Sequence, residues 1–241
     1  MSKKKSSNNV KEDVSLNSVK DIKSFFKYVL RGEDLISHVL FFGILFVFFK
    51  FILLPLIGIL LQTSYPLTAI VSESMEQRLS NDFICGNRIS INNNELSFWD
   101  ICGSFYENNF NISRDEFDSF SFSNGMNRGD VIIVYGRSPE NIQVGDVILF
   151  KGQDKIQLSD GTWESSFYLN YGPIIHRVVE INFENETYFF TTKGDNNPQI
   201  MPKEIQIPQD DVIGTAIVRI PYLGLLNYYF YRFVIAPFRG N

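Results

Sequence analysis

The sequence predicts a mainly β domain held behind one N-terminal membrane-spanning helix. Three observations carry that expectation. An unbroken apolar run lies near the N-terminus, short β-branched segments follow it behind Gly-Asp turns, and no βαβ rhythm connects those segments. A length of 241 residues suits one main domain with appendages. A hydrophobic share of 44%, with 15% aromatic residues, supports a packed core and excludes a disordered chain.

Charge divides the chain before any motif does. The net −5 splits into about +3 up to Ser37 and about −8 beyond it. No basic patch with interleaved aromatics is present, so nucleic acid is not an expected partner. A cationic tail ahead of an apolar run predicts a cytoplasmic N-terminus.

Residues 1–37 read as that tail. Met1 to Leu16 is polar and rich in Lys, Ser and Asn, the composition of a disordered segment. From Asn17 to Leu30, Val19, Ile22, Phe25, Phe26 and Val29 recur at helical spacing with lysines between them. This predicts a short helix on the cytoplasmic membrane surface or against a partner. Residues 38–62 read as the anchor. Val39 to Leu61, flanked by His38 and Gln62, covers roughly 35 Å as a helix against a hydrocarbon layer of ~30 Å. Lys50 near its middle costs about 2.5–3.5 kcal/mol, which the surrounding Phe, Leu and Ile outweigh while its stem snorkels. The run is too long for a removable signal peptide and lacks a small-residue cleavage site.

Residues 63–221 read as the extracytoplasmic domain. Leu67–Val71, Gly129–Val134, Gly145–Phe150, Pro173–Phe183, Thr187–Thr192 and Asp211–Ile220 are the expected strands of a small β-barrel-like fold. Residues 78–128 interrupt them as an Asn- and Phe-rich insertion carrying Phe98, Trp99, Phe105, Tyr106, Phe110, Phe117, Phe120 and Phe122. A satellite core packed on the barrel is the first reading of these aromatics, and a surface facing the bilayer interface or a substrate groove is the second. Cys85 and Cys102 lie inside the insertion, either as a disulfide worth about 3 kcal/mol or as two buried thiols. Two cysteines are too few for a structural zinc site, and no cofactor or metal is expected. Asn111-Ile112-Ser113 and Asn185-Glu186-Thr187 match the glycosylation sequon. Residues 222–241 form an apolar, aromatic C-terminal segment, read as interfacial or re-entrant, with a second crossing as the alternative.

The chemistry lies in three places. Val71-Ser72-Glu73-Ser74-Met75 follows the anchor and offers a serine nucleophile. His38 falls at the membrane entry, which leaves His176 as the external imidazole and candidate base. Strand alternation puts His176 on the face of Ile174 and Val178, where a polar group needs a partner, and Asp195 is the candidate.

These residues resemble a type I signal peptidase, specifically the archaeal and endoplasmic-reticulum branch whose base is histidine. The resemblance rests on the anchor, Val71 to Met75, both Gly-Asp strands, Ile175-His176-Arg177-Val178, Lys193-Gly194-Asp195-Asn196-Asn197 and Val218 to Gly224. It implies a signal-peptidase-like β-domain with Ser74 as nucleophile, His176 as base and Asp195 as the acid. It also implies that Ser72 can donate its hydroxyl to the oxyanion hole beside the Ser74 N–H. Signal-peptide-bearing preproteins, the lipid bilayer and the translocation machinery are the implied partners, at a cell membrane. The chain departs from the pattern in three ways. Met201 stands where many relatives carry a second acid, the proline usual after Ser-Met is replaced by Glu76-Gln77-Arg78, and the insertion delays the first Gly-Asp strand. Two other readings follow from the same residues. A self-cleaving protease of the phage-repressor type is opposed by the anchor and by histidine as base. A catalytically decayed anchored β-domain that binds or scaffolds extracytoplasmic partners draws on the missing acid and on the large insertion.

Overall fold

A single polar residue starts the apolar helix. Asp34 caps it, its carboxylate accepting the Ser37 N–H at 2.6 Å. The computed structural model describes residues 22–78, 83–88, 96–151, 155–157, 163–165 and 173–225. The polar tail expected from Met1 to Leu16, and the interfacial segment expected beyond residue 225, lie outside the described residues. The chain divides into two units, Met1–Ile57 and Gly58–Asn241.

In the first unit, residues 22–31 form α1, which takes up most of the predicted amphipathic stretch. Helix α2 (Leu35–Phe48) continues through a π-helical turn (Phe49–Leu53) into α3 (Leu54–Leu60). The π turn ends two residues before Pro55, whose nitrogen has no proton to offer the turn before it. Leu54 N–H accordingly donates to Phe49 O, five residues back. The 26 helical residues Leu35–Leu60 are long and apolar enough to cross a membrane. Lys50 Nζ lies 5.8 Å and 5.5 Å from the ring centres of Phe46 and Phe51, within cation–π range of both.

The second unit is built on an antiparallel sheet of seven strands, mainly β as the sequence predicts. Its order is β1 (Leu67–Ala69), β4 (Val131–Tyr135), β11 (Val212–Ile220), β5 (Val147–Phe150), β8 (Ile174–Glu184), β9 (Thr187–Lys193) and β10 (Ile207–Pro208). Each of the six strands expected from sequence is present. The two Gly-Asp turns are built alike. Asp130 accepts the Asn127 N–H and Asp146 the Gln143 N–H, so each carboxylate closes the turn that feeds its strand. Short pairs β2 (Phe83–Ile84) with β3 (Asn87–Arg88), and β6 (Lys155–Gln157) with β7 (Trp163–Ser165), stand apart from the main sheet.

The insertion contains two helices that the strand reading did not anticipate. Ser97 and Asp100 form a capping box at the start of α4 (Phe98–Phe110), and Asn111 ends it in the left-handed region. Ser113 caps the short α5 (Arg114–Ser119). Phe98, Cys102, Tyr106 and Phe117 bury together with Ile84 and with Val179 of β8, which is the packed satellite core. Cys85 and Cys102 are joined as a disulfide.

Arg177 on β8 ties this insertion to the sheet. Its side chain is wholly buried, and every guanidinium N–H is used. Nε and Nη2 donate to the two Asp195 carboxylate oxygens at 2.9 Å and 2.8 Å. Nη1 donates to Ser121 O and Gly145 O, and Nη2 also to Phe122 O. Phe117 of α5 stacks 4.9 Å from the guanidinium carbon. Burial by itself pushes the Asp195 carboxyl up. The Arg177 charge and the hydrogen bonds from Arg177 and Gln77 outweigh that and hold it below the ordinary carboxylate value.

Arg177→Leu leaves Asp195 buried without its cation. It is expected to cost about 3–5 kcal/mol, read as a lowered thermal unfolding midpoint of the full chain in detergent. The depressed Asp195 value also sets the direction with pH. Its contribution is complete above ~3.9, the ordinary carboxylate value, and is lost as pH falls through the lower folded-state value. The wild-type midpoint should therefore fall on acidification below that range, and the Arg177→Leu midpoint should fall less. Equal midpoints for the two proteins at neutral pH contradict the assignment.

Candidate active site

Apolar burial fixes the backbone that presents Ser74. Met75 is fully buried among Ile70, Met126 and Ile132, and its carbonyl accepts the Met126 N–H at 2.9 Å. The preceding Ile70 is pinned on both sides, its N–H donating to Asp130 O and its carbonyl accepting from Gly129 N–H. Between these two anchors, residues 71–74 turn outward and leave Ser74 half-exposed. The methionine directly after the serine thus fastens the turn to the core.

His176 comes from β8, paired across the ladder with Ile148. The side chain is 3% exposed, and Nε2 lies 2.9 Å from Ser74 Oγ. Gly194 makes that approach possible. A Cβ on it would stand 2.7 Å from His176 Nε2 and 2.9 Å from Ser74 O, inside contact distance of both. Ser72 Oγ sits 3.1 Å from Ser74 Oγ.

The acid facing His176 is Glu204, which the sequence reading did not name. Glu204 is buried and its Oε1 pairs with His176 Nδ1. Its Oε2 accepts the Met201 N–H at 2.6 Å, and its own N–H donates to Met201 O at 2.8 Å. Residues Pro202–Glu204 form a 3₁₀ turn, so the acid missing at Met201 is supplied three residues later and held by Met201's backbone. A signal for it was present. Pro202 at the first position of a turn, with an acid two residues on, is the pattern of a capped helix start.

Asp195 does not pair with His176. It accepts from Arg177 as above, from Tyr106 OH at 3.0 Å and from Gln77 Nε2 at 2.7 Å. Alternation explains the difference. His176 and Arg177 are neighbours on one strand and leave it on opposite faces, and Asp195 belongs with Arg177. Asp210 and Asp211 lie in a 3₁₀ turn just before β11. Lys193 ends β9 where the segment carrying Asp195 begins, and is buried with Nζ donating to Gly194 O, Asp195 O and Asn197 O at 3.0, 3.1 and 2.9 Å. Burial lowers its ammonium to about 8, against the pull of Asp195 and Glu204.

Chemically, a serine hydroxyl hydrogen-bonded to an imidazole, with a carboxylate on the other ring nitrogen, is an arrangement for acyl transfer. An ionised Glu204 can only accept, so it selects the imidazole tautomer with the proton on Nδ1. The Nε2 lone pair then faces Ser74.

No family model matches the chain. Among curated proteins it is 29% identical over 116 residues to the signal peptidase complex catalytic subunit SEC11 of Candida tropicalis, covering 45% of this chain and 60% of that protein. It is 26% identical over 115 residues to the subunit of the same name from Fusarium vanettenii, covering 45% and 58%. An uncharacterised protein of Methanocaldococcus jannaschii is 44% identical over 61 residues, covering 23% and 29%. The chain thus spans about three fifths of the length of the SEC11 proteins it matches. Over about 115 residues the chain is thus similar to proteins named signal peptidase catalytic subunits, the group that the resemblance in its sequence points to.

Proposed function

We propose that the chain is a membrane-anchored serine endopeptidase that removes N-terminal signal peptides from exported preproteins. The observation that carries the reading is the 2.9 Å approach of His176 Nε2 to Ser74 Oγ, in a chain whose relatives are named signal peptidase catalytic subunits. Ser74 Oγ attacks the scissile carbonyl as His176 Nε2 takes its proton. Glu204 holds the ring in its tautomer and stabilises the imidazolium that forms. The Ser74 N–H and the Ser72 hydroxyl stabilise the oxyanion. His176 then returns the proton to the leaving amine, and a water repeats the sequence on the acyl-enzyme. Asp195 acts one step away, as the counter-ion of Arg177.

In this reading the helix Leu35–Leu60 is the anchor, the cationic tail before it keeps the N-terminus in the cytoplasm, and the β-domain lies outside the cytoplasm. Ser74 follows Leu60 by fourteen positions, a tether of at most about 50 Å, so cleavage is confined to the membrane's neighbourhood. That suits a substrate whose own apolar segment lies in the bilayer, because both reactants are already held in one plane. The substrate binds extended, with small residues at the first and third positions before the cut. The translocation machinery that delivers preproteins is the expected protein partner. The scaffold reading draws on the missing acid at Met201 and on the large insertion, and the pairing of Glu204 with His176 speaks against the first of these grounds.

Ser74→Ala and His176→Ala should each abolish cleavage of a preprotein in membranes, followed as a mass shift. Cleavage retained in both rejects the reading. Glu204→Gln, which leaves the ring without its carboxylate, should lower kcat by roughly 10²–10⁴-fold with the fold intact by circular dichroism. An unchanged kcat removes Glu204 from the mechanism. Ser72→Ala should lower kcat by about 10²-fold or less with little change in KM, and a change confined to KM argues against oxyanion binding.

A further inference from the structure

The insertion reaches the nucleophile through one asparagine. Asn196 spends its polar groups on two neighbours. On one side, its N–H donates to Ser74 O at 2.7 Å and its Nδ2 to Glu73 O at 3.2 Å. On the other, its Oδ1 accepts the Cys85 N–H at 3.0 Å. Cys85 is the first of two turn residues between β2 and β3, both at positive φ, and it is bonded to Cys102 on α4. One turn along α4, Tyr106 donates to Asp195, the residue next to Asn196. The turn is also pressed on the chain just past the loop. Any side chain at Gly86 would stand 2.7 Å from Pro198 Cβ.

We propose that the disulfide-stapled insertion is a positioning element for the nucleophile, with Asn196 as the residue through which it acts. The inference rests on the proposed function and deepens it. Cys85 and Tyr106 hold the Asp195–Asn196 peptide from the insertion side, and Asn196 holds the Glu73–Ser74 backbone. Among the described residues, Ser74 is otherwise held through Met75 in the core, by hydrogen bonds to His176 and Ser72, and through Glu73, whose carbonyl accepts the Glu76 N–H and whose carboxylate pairs with Arg128. Rotation of the turn about the Met75 anchor would carry Oγ away from Nε2 without unfolding anything. The staple resists that rotation because Cys85 is fixed twice, by its bond to α4 and by its amide on Asn196. A hydroxyl displaced by about 1 Å is enough to cost up to 10²-fold in rate. Because the link is a disulfide, the same geometry makes cleavage sensitive to reductant. A surface cleft of ≈ 310 Å³ lined by Cys85, Cys102, Lys193 and Asn197 lies against the half-buried Cys85 side of the bond, the side from which a small thiol would approach.

The test uses the full chain in detergent with a preprotein substrate. Reduction by dithiothreitol should lower kcat by roughly tenfold with KM within about twofold, and reoxidation should restore it. A Cys85→Ser/Cys102→Ser double variant should start at the reduced value and ignore reductant. Tyr106→Phe removes one hydroxyl and should lower kcat modestly. Asn196→Asp keeps the acceptor for Cys85 but loses the donor to Glu73 O, so it should fall between wild type and Asn196→Ala. Folding is followed separately by the thermal midpoint. Wild-type kcat in the double variant and in the reduced enzyme overturns the proposal, as do kcat losses that merely track loss of folded protein. A wild-type chain that cleaves no preprotein fails at the earlier step, and removes the function on which the positioning role rests.

Discussion

The buried Arg177–Asp195 pair is the constraint on which the rest of the structure depends. A guanidinium with no solvent contact persists only if all its donors and its charge are matched. Here the matching groups come from separate parts of the chain: Asp195 from the loop after β9, Ser121 and Phe122 from the insertion, and Gly145 from the second Gly-Asp turn. Satisfying one side chain therefore assembles the sheet, the loop and the insertion in one arrangement. Apolar packing by Phe117 and Tyr106 adds to it without choosing among registers in the same way.

That division of labour accounts for the site. The face of β8 that carries His176 meets Ser74 and Glu204, and the face that carries Arg177 meets Asp195. The loop Lys193–Asn197 serves both faces. Gly194 yields room beside His176 Nε2, Asp195 answers Arg177, Asn196 takes hold of Ser74 and Glu73, and Lys193 gathers the loop's carbonyls beneath them. One strand and one loop thus link a structural ion pair to the placement of Ser74 beside His176.

The strands were legible because their β-branched runs alternate behind turns of one chemistry, and Asp130 and Asp146 close those turns identically. Ser74 and His176 were legible because their neighbours match a family pattern. Glu204 was not, because the expected spacing pointed to Met201, and a 3₁₀ turn moves the acid three residues along. The exchange of Asp195 for Glu204 was within reach of alternation alone. An arginine beside a strand histidine must face away from it, and if buried it claims the nearest carboxylate. Helix α4 was hidden by its irregular aromatic composition, although Ser97, Asp100 and Asn111 mark both of its ends.

Everything proposed for the site turns on Glu204, and not Asp195, setting the tautomer of His176. The most direct measurement is proton NMR of the full chain in detergent, seeking the far-downfield signal of an imidazole Nδ1–H shared with a carboxylate. The expected result is a signal that His176→Ala and Glu204→Leu both eliminate and that Asp195→Asn retains in folded protein. A signal that survives Glu204→Leu, or that Asp195→Asn alone removes, contradicts it.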